Sequence, residues 1–159
     1  MITAKHKRII QQLSILAQDQ KGVKRAKVVA CMTYKNKIIA YGFNSNKTHP
    51  FQLNYGTQTR HNYLTQSVSE YKDLAVKFSL NLHAETNCLI NALKRIKPEK
   101  LKDCELFVCR IKKSENGNYV YGLAKPCGDI NKGCTKAILE YRIKNVFYST
   151  DEGTVESLF

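Results

Sequence analysis

Apolar positions along this chain switch between two periods, and the switches mark out the elements. Ile9, Ile10, Leu13, Ile15 and Leu16 recur at near-helical spacing and predict an amphipathic helix over residues 4–19. Lys27–Tyr34 and Lys37–Phe43 are β-rich runs, and Lys35 and Asn36 between them suit a tight turn. These two strands are therefore expected as an antiparallel hairpin. A helix is predicted over residues 82–96, with Asn81 as its cap and Pro98 just beyond its end. Residues 105–112 read as a strand, Gly117 sits in a polar turn, and residues 119–123 extend as a short return. Residues 135–142 complete a last helix before a buried strand over Asn145–Ser149. This order predicts an α/β layered domain with a mixed β-sheet flanked by helices.

One stretch breaks the rhythm. About 36 residues, 45–80, separate the hairpin from the helix over 82–96, where a connection of about 4–6 is usual. Val68, Tyr71, Leu74, Ala75 and Phe78 recur at helical intervals within it, while the part from Ser45 to Phe51 is rich in hydrogen-bonding groups. It is expected to form part of a substrate pocket or a lid, the alternative being a packed surface excursion with no role in binding. His49 and His61 have no spacing that suggests a metal pair.

Composition narrows the class. A chain of 159 residues fits a single domain, 1–159, with a substantial core. No apolar run approaches the roughly 20 residues of a membrane span, and no signal-peptide pattern follows Met1, so a cytoplasmic location is expected. Six cysteines in a chain of this size are expected as free thiols, with Cys31, Cys104 and Cys109 in apolar strand-like runs and Cys88 in a helix, all four packed in the core. The formal charge of +13 either attracts nucleotides or nucleic acid, or forms a solvated face.

The chemistry concentrates in His83-Ala84-Glu85, followed by Pro126-Cys127 and then Cys134. One imidazole and two thiolates can hold a zinc ion, Zn2+, and leave its fourth position open, which is the pattern of a catalytic site. Glu85, two residues past the histidine, can move protons to and from a water held there. The set resembles the zinc-dependent cytidine and deoxycytidylate deaminase superfamily, whose pattern is H-x-E followed by P-C-x-x-C. Ile38–Asn44 resembles that family's second strand, and Ile138, Ile143, Val146 and Tyr148 match the helix and strand after its second cysteine. The resemblance covers roughly residues 25–150. It implies a three-layer cytidine deaminase-like fold and a single deaminase domain carrying an insertion at about 45–80. Glu85 would be catalytic; His83, Cys127 and Cys134 would hold the metal; Asn44, Ala84, Pro126, Lys47 and His49 would meet the substrate. Self-association is also expected from the resemblance.

The chain departs from the pattern in one place. Six residues, 128–133, separate the two cysteines, where the family has two. Two sulfurs on one zinc sit roughly 3.8 Å apart, but residues seven apart on a continuous helix are displaced by about 10.5 Å. The segment must therefore loop out, and its two glycines with Asp129 and Asn131 suit a turn. The alternative is that Cys127 is a plain buried cysteine.

Three functions fit these residues. The foremost is a deoxycytidylate-type deaminase, converting a free cytosine nucleotide to the uracil nucleotide with release of ammonia. The second acts on cytosine or adenine in single-stranded DNA or RNA, with Phe51, Tyr55 and Tyr63 as stacking platforms. The third is a zinc-stabilised binding module, against which Glu85 argues.

Overall fold

The computed structural model describes residues 1–21, 26–47, 49–55 and 82–159. The helix expected around Val68 to Phe78, the cap at Asn81, and His61 and Tyr63 lie outside them. The described elements are α1 (Ala4–Gln18), β1 (Lys27–Tyr34), β2 (Lys37–Phe43), a short α2 (Pro50–Leu53), α3 (Ala84–Leu93), a 3-10 turn (Pro98–Asp103), β3 (Cys104–Lys113), β4 (Tyr119–Gly122), α4 (Gly133–Glu140), β5 (Asn145–Ser149) and β6 (Val155–Ser157).

β1 and β3 are the central strands, and their near-continuous apolar sequences reflect cover on both faces. The sheet runs β2-β1-β3-β5-β6. β1 is antiparallel to β2 and β3, while β3 and β5 are parallel. β5 pairs with β3 only as far as Val108; from Arg110 onward β4 takes the same edge. Lys35 and Asn36 both adopt positive φ, 49° and 65°, as a two-residue hairpin turn requires.

Successive side chains of a strand point to opposite faces, and the core divides accordingly. Val29, Cys31, Phe107, Cys109, Ile111 and Phe147 face α1, meeting Ile9, Ile10, Leu13 and Ala17. Ala30, Met32, Leu106, Val108, Val146 and Tyr148 face the opposite layer, meeting Ala84, Cys88, Leu89 and Ala92 of α3 and Ala137 and Ile138 of α4. The result is a mixed sheet between helical layers, the cytidine deaminase-like α/β arrangement.

Several boundaries differ from expectation. α1 buries Ala17 and Ser14, whereas Ile15 and Leu16 are exposed, because residues 9, 10, 13 and 17 define the face that meets the sheet. α3 begins at Ala84, since His83 holds an extended backbone as its N-cap, and it ends at Leu93. α4 begins at Gly133 and stops at Glu140; Arg142 just beyond has φ 56°, which no helix continues through. α2, the 3-10 turn and β6 had no signal strong enough to predict them.

Candidate active site

Two helix starts and one strand exit converge at the site. α3 is fixed against the edge strand by close contact and by hydrogen bonds. A Cβ on Gly42 would lie 2.1 Å from Ala84 O and 2.3 Å from Cys88 N, so only glycine allows β2 and α3 to approach this closely. Asn87 Oδ1 accepts from the Phe43 N–H at 2.9 Å, and Asn91 Nδ2 donates to Tyr41 O at 2.7 Å. These two side chains, four residues apart, satisfy backbone groups that an edge strand otherwise leaves open.

The N-terminus of α3 is held from below by Gln52 of α2. The His83 N–H donates to Gln52 Oε1 at 3.0 Å, and the Thr86 hydroxyl bonds the same oxygen. Gln52 is fully buried, and its Nε2 has no hydrogen-bond partner among the described residues. No sequence pattern marked this residue.

The six residues between the cysteines do loop out. Asp129 and Lys132 pair backbone to backbone, with Asp129 N donating to Lys132 O at 3.0 Å, and Asn131 N donates to Asp129 Oδ1 at 2.8 Å. Gly128 and Gly133 close the base with φ of 81° and 76°. A Cβ on Gly128 would meet Lys132 O at 2.1 Å. The closed base brings the helix start onto the first cysteine: Cys134 N donates to Cys127 Sγ at 3.4 Å and Thr135 N to Cys127 O at 3.0 Å.

His83, Cys127 and Cys134 thereby place three donor atoms within 4.8 Å of one another. His83 Nδ1 lies 3.5 Å from Cys127 Sγ and 3.4 Å from Cys134 Sγ. Bonds of about 2.05 Å and 2.3 Å to a tetrahedral centre would separate nitrogen and sulfur by roughly 3.6 Å, so the spacing fits a shared ion. Glu85 is buried beside this group, its Oε2 3.6 Å from Cys134 Sγ.

Electrostatics points the same way. The Cys134 thiol donates to Cys127 and, with the His83 ring beside it, lowers the Cys127 pKa to about 4 against the resistance of burial. The same hydrogen bond, reinforced by burial, holds Cys134 well above its ordinary value. Burial raises Glu85, with His83 opposing. A thiolate, a second thiol and a carboxyl crowd one buried place, a donor set suited to a borderline divalent cation. The remaining cysteines are different: burial pushes Cys31 and Cys109 up to about 12, Cys104 to about 11 and Cys88 well above its usual range. All six are free thiols.

A cavity of about 290 Å³ opens beside the cluster. His83, Ala84, Glu85 and Cys127 form one side; Ala26, Val28, Asn44, Arg110, Leu123, Ala124 and Lys125 form the rest. Asn44 is buried, accepting at Oδ1 from the Val28 N–H and Gln20 Nε2, both at 3.0 Å, and donating from Nδ2 to Ala26 O. Pro126, Lys47 and His49 do not line the cavity. His49 Nδ1 instead accepts from the Phe51 N–H as the cap of α2, Pro126 O accepts from the Thr135 hydroxyl, and Lys47 O accepts from the Leu82 N–H. Sequence reasoning missed Ala26, Val28, Arg110, Leu123, Ala124 and Lys125; Arg110 shares its strand with Glu105, Lys112 and Lys113, so charge alone did not single it out.

The model of the cytidine and deoxycytidylate deaminase zinc-binding region matches residues 3–150. The chain belongs to this family. As a member of the deaminase family it is a hydrolytic enzyme, and His83, Cys127 and Cys134 form a cluster suited to coordinating a metal ion. Among solved structures, the dCMP deaminase from the cyanophage S-TIM5 in apo form is similar at 23% identity and TM-score 0.51, covering 94% of this chain and 86% of the other. The same cyanophage enzyme in complex with dCMP and dUMP is similar at 20% identity and TM-score 0.51, covering 94% and 85%. Likeness at this level carries the fold. No curated protein matches the chain. Among the described residues, no helix is long and apolar enough to cross a membrane.

Proposed function

We propose that this deaminase acts on a cytosine nucleotide of the deoxycytidylate type, giving the uracil nucleotide and ammonia. The observation that carries the proposal is that His83, Cys127 and the buried Glu85 line one cavity of nucleotide-compatible size, with Cys134 completing the donor cluster beside it. His83, Cys127 and Cys134 would hold Zn2+, a match for one nitrogen and two sulfur donors. When bound, zinc supplies the Lewis acidity that brings water toward neutral pKa.

The chain's own groups do the rest. Glu85, desolvated and raised in pKa, retains a proton more readily than a free carboxylate. It is placed to take a proton from water and deliver it to the ring nitrogen, then to take the second proton from the hydroxyl now on the attacked carbon and deliver it to the amine, so that the C–N bond breaks, ammonia leaves and the oxygen becomes the product carbonyl. Ala84 lines the cavity at the first turn of α3, where free backbone N–H groups can meet the substrate carbonyl. Asn44 has one amide hydrogen beyond its bond to Ala26 O with which to contact sugar or base. The cavity wall supports Asn44 and Ala84 as substrate contacts more than Pro126, Lys47 and His49.

Ammonia release from dCMP, deoxycytidine, adenosine and a single-stranded oligonucleotide, measured with zinc-loaded protein, tests the proposal. Turnover of dCMP alone is expected. Glu85→Ala should keep the metal and lose about 10²–10⁴-fold in rate; normal turnover by that variant would remove Glu85 from the mechanism. The charge of +13 favours the second function, on single-stranded nucleic acid, and the oligonucleotide arm decides it. Both cores share one sheet, which supports a single deaminase domain over residues 1–159. Exposed Ile38, Tyr41 and Phe43 on the edge strand β2 support self-association.

A further inference from the structure

The cavity carries a positive charge that the deamination chemistry does not use. Alternate residues of β3 on the α3 side are Leu106, Val108 and Arg110. The first two are core; the third lines the cavity. Arg110 is flanked in register by Val28 of β1 and Gly122 of β4. Its side chain lies across Gly122, where an added Cβ would stand 3.1 Å from Arg110 Cγ and Cδ. The missing side chain at Gly122 thus makes room for the arginine.

Arg110 has no ion pair or hydrogen bond from its guanidinium among the described residues, and its Nε is buried. Asp151 is near enough to feel its charge, but Asp151 Oδ1 is already taken by Lys112 Nζ at 3.0 Å and the Leu123 N–H at 3.1 Å. Lys125 adds a second cation to the same wall, and Glu85 is the only carboxylate among the lining residues described. A buried, unpaired N–H on a charged fork is costly unless a ligand completes it.

The geometry points to Arg110, assisted by Lys125, as the site that binds the phosphate of a free nucleoside monophosphate and so sets the preference for nucleotide over nucleoside. This rests on the nucleotide assignment above and adds the residues that enforce it. A guanidinium offers paired donors that match phosphate oxygens, and Gly122 leaves room for the stem of the arginine that lines the cavity.

Calorimetric binding of dUMP and deoxyuridine to zinc-loaded wild type, Arg110→Gln and Arg110→Lys tests it without requiring turnover. Wild type should bind dUMP at least about tenfold more tightly than deoxyuridine, and Arg110→Gln should weaken dUMP about 10- to 100-fold while leaving deoxyuridine unchanged. Arg110→Lys should recover part of the loss. Should Arg110→Gln fail to fold by circular dichroism, the exposed Lys125→Gln carries the test, with a smaller loss expected for dUMP alone. Equal binding of dUMP and deoxyuridine by wild type overturns the inference. So does unchanged dUMP affinity in the variant, or a parallel loss for both ligands. A larger loss for a single-stranded oligonucleotide than for dUMP overturns the assignment to a free nucleotide. Arginine-dependent dUMP binding without ammonia release from dCMP would refute the proposed reaction and keep this site; deamination of deoxycytidine and dCMP at equal efficiency would do the reverse.

Discussion

Replacing Gly42 with alanine tests whether close packing of β2 on α3 sets the active site. The new Cβ would stand 2.1 Å from Ala84 O, 2.3 Å from Cys88 N and 2.7 Å from Cys88 Cβ. The two nearest atoms are backbone, so no rotamer change relieves the clash. Ordinary contact begins at 3.4 Å, so α3 and β2 must separate by about 1.3 Å at this point. Gly42 does not have positive φ, so the alanine backbone itself is unstrained and the effect is steric. Overpacking of this kind costs about 1–3 kcal/mol, with a melting shift of about 2–4 °C per kcal/mol at this chain length. The shift falls at the helix start that carries His83 and Glu85, and a misplacement of about 1 Å costs on the order of 10²-fold in rate. Thermal melting, zinc content and ammonia release from dCMP together read both effects. A Gly42→Ala protein that melts and turns over as wild type would refute the claim that this contact positions the site.

Gln52→Leu removes the oxygen that accepts from the His83 N–H and the Thr86 hydroxyl; a loss of about 1–3 kcal/mol is expected, read as a lower melting temperature and weaker zinc retention in a chelator competition. A stabilised variant would mean that the unpartnered Nε2 outweighs those bonds. Removing the metal should lower the melting temperature reversibly, by the equivalent of about 4 kcal/mol where zinc had stood 1,000-fold above its dissociation constant; identical melts with and without chelator would count against a metal centre. Above pH 9, stability should fall. Cys31 and Cys109 keep their protons in the folded protein to about pH 12, while the unfolded chain releases them near 9.0. The stabilisation they give is therefore complete below about pH 9 and lost as pH rises toward 12. A Cys31→Ala/Cys109→Ala protein should show a shallower decline in melting temperature over that interval, and an equal slope would sink the assignment.

The strands were the most legible part of the fold. Lys27–Tyr34, Lys37–Phe43 and Asn145–Ser149 end where expected, because each is an apolar run closed by polar or turn residues. Helix ends were harder to place, being decided by single backbone choices such as the extended His83 and the positive φ of Arg142. The donor cluster could be found from residue type and from the His83-Ala84-Glu85 and Pro126-Cys127 motifs, despite an interval between the cysteines that departs from the family's. The cavity wall could not. Arg110 and Lys125 reach it through cross-strand register and a loop path, and Gln52 through a short helix distant in sequence from α3. Such neighbours are set by tertiary geometry and leave no local periodicity.

The clamp formed by Gly128 and Gly133 has an evolutionary consequence. Once those two backbones are pressed together, what lies beyond them no longer affects how the sulfurs meet. Ile130 at the tip is 70% exposed, and that apex can lengthen, shorten or acquire new side chains while the metal centre below keeps its shape. A search for relatives that demands a fixed interval between the cysteines would pass over such variants. One that asks instead for a glycine just inside each cysteine would retain them.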